Sequence, residues 1–179
     1  MTLTDRFRAL TGVACLAAAS TVVVAGPSGV AAGAAVPACR PSQVRITTGV
    51  AEGAAGTIYV PLVFTNRGTT CTIWGVPSVQ AVTPTHRPVG PPARNDSIGQ
   101  MPALHVLRRG QSVSSALGVV ETGNYPVDRC HARHAWGVRV RLGSLAGPAF
   151  VKLGISVCTS RASTSVRLVV AGRTGVATS

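Results

Sequence analysis

The sequence predicts an all-β protein, a two-sheet immunoglobulin-like sandwich of about seven to nine short strands stapled by two disulfides. Short apolar runs alternate with turn residues, and the 20 glycines and 12 prolines are spread between them. No segment keeps a helical period over a dozen residues. Four cysteines follow an N-terminal export signal. The Cys-Trp-Cys spacing of a true immunoglobulin domain is absent, so the expected likeness is one of architecture.

Residues 1–34 predict a secretory signal peptide. Arg6 and Arg8 precede an apolar segment at 9–25, and Ala32–Gly33–Ala34 fits a cleavage site. The alternative is an uncleaved N-terminal segment that anchors the chain in a membrane. Because the apolar segment has only about 17 residues, near the lower limit for a span, we expect export and a secreted, extracellular chain.

Cleavage would remove Cys15 and leave Cys39, Cys71, Cys130 and Cys158. In an oxidising compartment, an even set of cysteines predicts two disulfides. Three connectivities are possible. We favour the sequential one, Cys39–Cys71 with Cys130–Cys158, because it would staple each half of the domain locally.

A short lead at 35–43 precedes the predicted sandwich domain at 44–172. Its first predicted strands cover residues 44–48, 57–66, 71–74 and 78–83. Pro61 lies inside the second strand and cannot donate to a ladder, which predicts an edge position or a bulge there. The corner between the third and fourth strands is Gly75–Pro77.

Residues 84–102 contain Pro84, Pro88, Pro91, Pro92 and Pro102. The prolines exclude a central strand and predict a long connection without regular structure, although residues 86–90 could pair briefly. Such loops are often functional or mobile. A passive surface loop is an equally good interpretation.

In the second half, residues 104–108 and 112–120 flank Arg109–Gly110–Gln111 and predict a hairpin. Further predicted strands cover residues 136–142, 150–158 and 165–171. Alternation in the first of these places Trp136 inward and Arg139 and Arg141 outward. The same alternation places Arg167 outward, and residues 173–179 predict a disordered tail.

Four stretches resemble a family known as domain of unknown function 4232. They are YVPLVFTN at 59–66, CTIWGVPSV at 71–79, RPVGPPAR at 87–94 and, more weakly, RGQSVSSAL at 109–117. Cys130 and Cys158 also lie where the family's later cysteines are expected. Val76 replaces the family's usual aromatic residue, and Arg109 replaces a common proline. The resemblance implies an exported β-sandwich protein of actinobacterial type, and it supplies no activity and no catalytic residues.

The predicted mature chain shows no pattern of catalytic residues. Its acids are Glu52, Asp96, Glu121 and Asp128, all in predicted loops, and no G-x-S-x-G nucleophile elbow is present. Neither a triad nor a carboxylate pair is indicated. We therefore expect a protein that is not an enzyme and needs no cofactor.

Metal binding has one weak indication, the pair His131 and His134 beside Cys130. Zinc sites need four convergent ligands, and Cys130 is expected in a disulfide. His86 and His105 could join only if the fold brought them near. We interpret the histidines as exposed loop residues and expect no metal site.

Positive charge is the strongest physical signal in the sequence. The chain has 17 Lys and Arg against 5 Asp and Glu, and loss of Arg6, Arg8 and Asp5 would leave a net charge of about +11. Such a surface attracts polyanions. The predicted anion-binding residues are Arg139, Arg141 and Arg167, on one outer sheet face.

The predicted partners are anionic cell-envelope polymers. The alternatives are another secreted protein, held by edge strands and the 84–102 loop, or a solvated basic surface with no dedicated ligand. Specific nucleic-acid binding is disfavoured, because the few aromatic residues are interpreted as core anchors rather than stacking platforms.

Overall fold

The structure, a computed structural model, describes residues 35–145 and 147–176. The predicted signal peptide, its cleavage site and the last three residues of the predicted tail lie outside this range. Within it, no helix combines the length and apolarity that a membrane crossing requires.

The described chain is all-β, as predicted, with only short helical turns at Pro41–Gln43, Thr122–Asn124 and α1 (Val127–Cys130). Its twelve strands are β1 (Val44–Thr48), β2 (Glu52–Ala54), β3 (Thr57–Asn66), β4 (Cys71–Ile73), β5 (Ser78–Val82), β6 (Arg94–Asn95), β7 (His105–Leu107), β8 (Ser112–Val120), β9 (Ala132–Arg141), β10 (Ala149–Cys158), β11 (Thr164–Val166) and β12 (Val170–Ala171). The strands that the sequence did not predict are β2 and β6, and the single strand predicted at 165–171 is divided into β11 and β12.

A seven-stranded sheet has β3 and β8 at its centre, paired antiparallel over nine residues each. The strands β1 and β2 pair with the other side of β3, and β11 and β12 pair with β8. From Val60 to Asn66, every residue of β3 is buried. Burial on both faces is typical of a strand covered by chain on either side.

The predicted edge position for the strand with Pro61 is wrong, because β3 lies inside the sheet. Pro61 falls where the neighbouring ribbon is interrupted: β1 ends opposite Leu62, and β2 begins opposite Tyr59. The Gly49 N–H donates to Pro61 O at 2.8 Å. Proline has no backbone N–H, and at position 61 this missing group would face the gap between β1 and β2.

The predicted hairpin of residues 104–108 and 112–120 is also wrong. The strand β7 pairs antiparallel with β4 in a separate two-stranded sheet, and β8 belongs to the seven-stranded sheet. The intervening turn is closed by a local bond, in which the Gln111 N–H donates to Arg108 O at 3.0 Å. The carbonyl of Gln111 accepts from the Asn66 N–H at 3.0 Å, at the end of β3. The turn therefore carries the chain between sheets.

A three-stranded sheet has the order β10–β9–β5, with both pairs antiparallel. The register between β9 and β10 shifts between Lys152 and Ile155, opposite Trp136. Such a bulge re-aims the side chains beside it.

The prolines of residues 84–102 do not leave this segment without structure. Its first part runs along the free edge of β5: the Thr83 N–H donates to Arg87 O at 2.9 Å, and the Val89 N–H donates to Ala81 O at 2.8 Å. Its second part forms β6, which pairs parallel with β11. The segment therefore connects the three-stranded sheet to the seven-stranded one.

The hydrophobic core draws side chains from all three sheets. Phe64 and Leu117 come from the seven-stranded sheet, Val138 and Val140 from the three-stranded sheet, and Ile73 from the two-stranded sheet. Each of these side chains is at most 1% exposed.

Disulfides join Cys39 to Cys71 and Cys130 to Cys158, the sequential connectivity. The first one holds the N-terminal lead against β4, where the Cys39 N–H donates to Thr72 O at 2.8 Å. The second one joins the end of α1, just before β9, to the end of β10.

The chain end differs from the predicted disordered tail over residues 173–176. The Gly175 N–H donates to the buried Ser114 Oγ at 2.9 Å, and Gly175 is itself buried against Ala116. These residues cover part of β8.

Candidate functional site

The three predicted anion-binding arginines do not share one face, which corrects the sequence prediction. Arg139 and Arg141 lie on β9 in the three-stranded sheet. Arg167 directly follows β11, in the seven-stranded sheet. The alternation that predicted all three to point outward carries no information on which sheet each strand joins.

Arg167 has its charge compensated. Its Nε donates to Asp96 Oδ2 at 3.3 Å, and the guanidinium lies 5.4 Å from the centroid of the Tyr59 ring. Both members of the ion pair are about half exposed. Among the described residues this is the one ion pair found, so Arg167 is a poor candidate for the main anion contact.

Among the residues that the structure describes, Arg139 and Arg141 have no such acidic partner. They alternate with Val138 and Val140, which are each 1% exposed, so the two guanidinium groups project from the outer face of the sheet. Their neighbours across the pair with β5 are Gln80 and Ser78. Neither β5, β9 nor β10 contains an acidic residue. This sheet therefore carries uncompensated positive charge.

Trp136 is not the core residue that the alternation predicted. Its side chain is 37% exposed and stacks on Phe150, which is paired with Arg139 on the outer face. The register shift opposite Trp136 explains the difference, because strict alternation fails at a bulge. The interpretation of the aromatic residues as core anchors is therefore wrong for Trp136, and also for Trp74, which is 39% exposed.

Three rings form a stack on this outer face. The Phe150 and Trp136 centroids are 5.2 Å apart at an interplanar angle of 19°, and the Phe150 and His86 centroids are 4.5 Å apart at 6°. The Lys152 Nζ lies 5.3 Å from the Trp136 centroid. The Phe150 ring lies over Gly137, where a Cβ would be 2.5 Å from Cζ. Glycine at 137 therefore makes room for the stack.

His86 holds its place through a strained turn. Its φ of 61° is left-handed, which is uncommon for a residue other than glycine and costs about 1–3 kcal/mol unless its surroundings impose it. The His86 N–H donates to Thr83 O at 2.9 Å, and the Arg87 N–H donates to Thr83 Oγ1 at 3.1 Å. These bonds fix the turn, which places the imidazole on Phe150.

We call this surface the basic-aromatic face; its residues are His86, Trp136, Arg139, Arg141, Phe150 and Lys152. Sequence reasoning missed His86, Trp136, Phe150 and Lys152. One available signal was Gly137, since glycine within a strand often marks close approach of another group.

A groove of about 630 Å³ adjoins the sheet where β9 begins. The residues that line it include His131, Arg133 and His134, at and just before the start of β9, together with Thr83 and Pro88. No acidic residue lines this basic groove. It extends the positive charge along β9, beyond the ring stack.

The histidines are not gathered into a metal site. His131 and His134 line the basic groove, His86 stacks on Phe150, and the His105 ring lies 3.2 Å from Val169 O. Within 35–145 and 147–176, no group of three or more metal-ligating side chains occurs.

The four acids of the described chain lie on separate elements. Glu52 is in β2, Asp96 pairs with Arg167, Glu121 borders an apolar cavity of about 440 Å³, and Asp128 is in α1. The absence of a catalytic role stays a prediction from the sequence.

Residues 39–172 match the family described as domain of unknown function (DUF4232). The chain belongs to this family. The match agrees with the resemblance inferred from the sequence motifs and covers the described strands from β1 to β12. The family description names no activity. No curated protein and no solved structure matches the chain.

Proposed function

We propose that this DUF4232 protein is a secreted, non-catalytic binding module of the cell envelope that holds anionic polymers on its three-stranded sheet. The observation that carries the proposal is the charge distribution of that sheet. Its strands contain no carboxylate, and Arg139 and Arg141 project from it without an acidic partner. Uncompensated charges of one sign raise the local concentration of polyanions.

For the architecture, we propose an immunoglobulin-like two-sheet sandwich. The common core of Phe64 and Leu117 from one large sheet with Val138 and Val140 from the other supports this arrangement. In that arrangement the outer face of the three-stranded sheet is free for a ligand. A crystal structure would test the arrangement directly.

Charge reversal tests the polymer proposal. The Arg139→Glu/Arg141→Glu variant should lose roughly tenfold or more in affinity for heparin, the scale expected for lost hydrogen bonds to charged groups. The matched control is Arg45→Glu/Arg109→Glu, which changes net charge equally at two exposed sites outside this sheet. Binding is measured by calorimetry over a salt series, and wild-type affinity should fall steeply as salt rises.

Two results would contradict the proposal. One is equal loss in the two double variants, which would show diffuse attraction by net charge. The other is wild-type protein that passes unretained over both heparin and isolated cell envelope at low salt.

A second candidate function is binding of another secreted protein through the 84–102 segment. Ile98 is 88% exposed, Met101 is 89% exposed and the neighbouring Leu104 is 63% exposed. Clustered exposed apolar side chains are typical of protein contact sites. Edge-strand addition has less room than the sequence suggested, because this same segment already occupies the edge of β5.

Comparison of two double variants distinguishes polymer binding from binding of a protein partner. Ile98→Ser/Met101→Ser should abolish co-purification of a protein partner and leave heparin affinity unchanged. Arg139→Glu/Arg141→Glu should do the reverse. Loss of heparin binding in the serine variant would remove the basis for assigning the segment a separate role.

A further inference from the structure

We propose that the basic-aromatic face recognises polymers of acidic sugars, whose rings contact Trp136 while their carboxylates pair with Lys152 and the two arginines. The inference rests on the proposed polymer binding and names the chemistry of the polymer. It adds aromatic residues to a site that the sequence described by arginines alone.

The aromatic residues of this protein are few, and two of them lie on the outer face of the three-stranded sheet. The full sequence has only three phenylalanines, two tryptophans and two tyrosines. Phe64 is fully buried in the core, but Phe150 and Trp136 stack with His86 on an outer face. Aromatic rings exposed beside cations are typical of surfaces that bind ligands.

A positive charge also lies close to one of these rings. The Lys152 Nζ is 5.3 Å from the Trp136 centroid, and the indole is 37% exposed. When an anionic group pairs with the Lys152 ammonium, the part of the ligand that is bonded to this group comes into contact with the Trp136 indole. A uronic acid has its carboxylate attached directly to the sugar ring, so one unit can satisfy both contacts.

Other polyanions fit this geometry less well. Polyphosphate has no ring and would leave Trp136 unused. In nucleic acids the stacking base and the charged phosphate are separated by a sugar, so the short distance from Lys152 to the indole is not matched within one unit. Acidic sugars are the class of polyanion in which each charged group is bonded directly to a ring.

The extent of the surface favours a polymer over a single sugar. Arg141 and Arg139 lie on one side of the ring stack, and His134, which pairs with exposed Ser156, continues along β9 on the other side. At about 3.3 Å per residue, the path from Arg141 to His134 is roughly 23 Å long. Basic groups repeated along such a path match a chain with repeated carboxylates.

The test compares polygalacturonate, polyphosphate and single-stranded oligothymidylate as probes of intact mature protein. Trp136→Ala should weaken polygalacturonate binding by roughly tenfold, the scale of one lost aromatic contact. Polyphosphate binding should change by less than about twofold, because net charge is unaltered. The matched control is Trp74→Ala, since Trp74 is similarly exposed at 39% but lies outside the face. The control should bind all probes like wild type.

Fluorescence provides a readout that needs no disruptive variant. The two tryptophans of the sequence are Trp74 and Trp136, so in Trp74→Phe the emission comes from Trp136 alone. Polygalacturonate should shift or quench this emission at saturation, and polyphosphate should not. Trp136→Phe, which keeps a ring, should retain most of the polygalacturonate affinity.

The outcomes distinguish this inference from the proposed function. If no polyanion binds the wild-type protein, both fail. If Arg139→Glu/Arg141→Glu loses binding while Trp136→Ala and the Trp136 emission are unaffected, only the sugar inference fails. Tighter and more Trp136-dependent binding of oligothymidylate than of polygalacturonate would overturn it in favour of nucleic acid.

Discussion

The two larger sheets present arginine to solvent in different ways. In the seven-stranded sheet, Arg167 is held by Asp96 and lies against Tyr59. In the three-stranded sheet, Arg139 and Arg141 lie opposite Gln80 and Ser78 on β5, and Arg139 also lies opposite Phe150 on β10. Arginine at an outward position of a strand is therefore not enough to indicate a binding site. The acid that compensates it can come from a segment distant in sequence.

The sheets also differ in how the chain covers them. The strand β8 buries Ser114 and Ser115, whose hydroxyls bond to Gly175 N and Arg167 O. Later segments of the chain thus cover part of β8 in the seven-stranded sheet. On the three-stranded sheet, the face beyond the core carries Trp136 and Lys152, both exposed. The face left uncovered is the one that holds the candidate site.

The largest expected difference between the sheets is in how much stability is lost when a phenylalanine is replaced by alanine. Phe64→Ala, in the core side of the seven-stranded sheet, should lower the free energy of unfolding by about 3–5 kcal/mol because a cavity forms. Phe150→Ala should cost about 1 kcal/mol, the scale of a stacking contact. Urea unfolding with intact disulfides measures both. Similar losses would show that the stack belongs to the core rather than to a binding surface.

Gly137 provides a test of intermediate size within the three-stranded sheet. In Gly137→Ala the new Cβ would lie 2.5 Å from Phe150 Cζ and 2.6 Å from Val151 O. Because a backbone oxygen cannot move aside cheaply, we expect a loss of about 1–3 kcal/mol in the free energy of unfolding and an altered Trp136 emission. Gly53→Ala is the control, since nothing lies within 4 Å of its added Cβ. Equal stability of the two variants would contradict the close packing of Phe150 on Gly137.

The smallest effect is expected at the compensated arginine. Asp96→Asn removes an ion pair whose members are about half exposed, so unfolding should change by less than about 1 kcal/mol. Heparin affinity should rise by less than about twofold, because the freed Arg167 lies in the other sheet. Titration calorimetry and urea unfolding measure the two quantities. A large gain in heparin affinity would indicate that any unpaired arginine can bind the polymer, whichever sheet it lies in.

Much of the fold followed from local sequence patterns. Alternating apolar residues predicted β1, β3 and the long strands of the second half, and the even cysteine set predicted two disulfides. The pairing of strands was harder. The sequence around Arg109 and Gly110 looks like a hairpin turn, yet β7 pairs with β4, more than 30 residues earlier. Turn chemistry describes a local bend and does not specify which strands then meet.

The candidate site was predicted only in part. Arg139 and Arg141 followed from alternation, because Val138 and Val140 flank them on the core side. Trp136 has the same spacing and was wrongly placed inward, since a register shift depends on the partner strand β10. The sequence also did not predict that His86 belongs to the site. Its position depends on a left-handed turn that brings a separate segment onto Phe150.

The segment that connects the two larger sheets has a consequence for solubility. A free strand edge exposes unpaired amides and carbonyls to which another molecule can add its own strand. On β5 these groups are already engaged: the Val89 N–H and the Ala93 N–H each donate to a β5 carbonyl at 2.8 Å. The prolines of this segment, Pro88 and Pro91 among them, offer no N–H donor to a newcomer. The segment thus blocks the addition of a strand from another molecule at this edge of β5 with its own backbone.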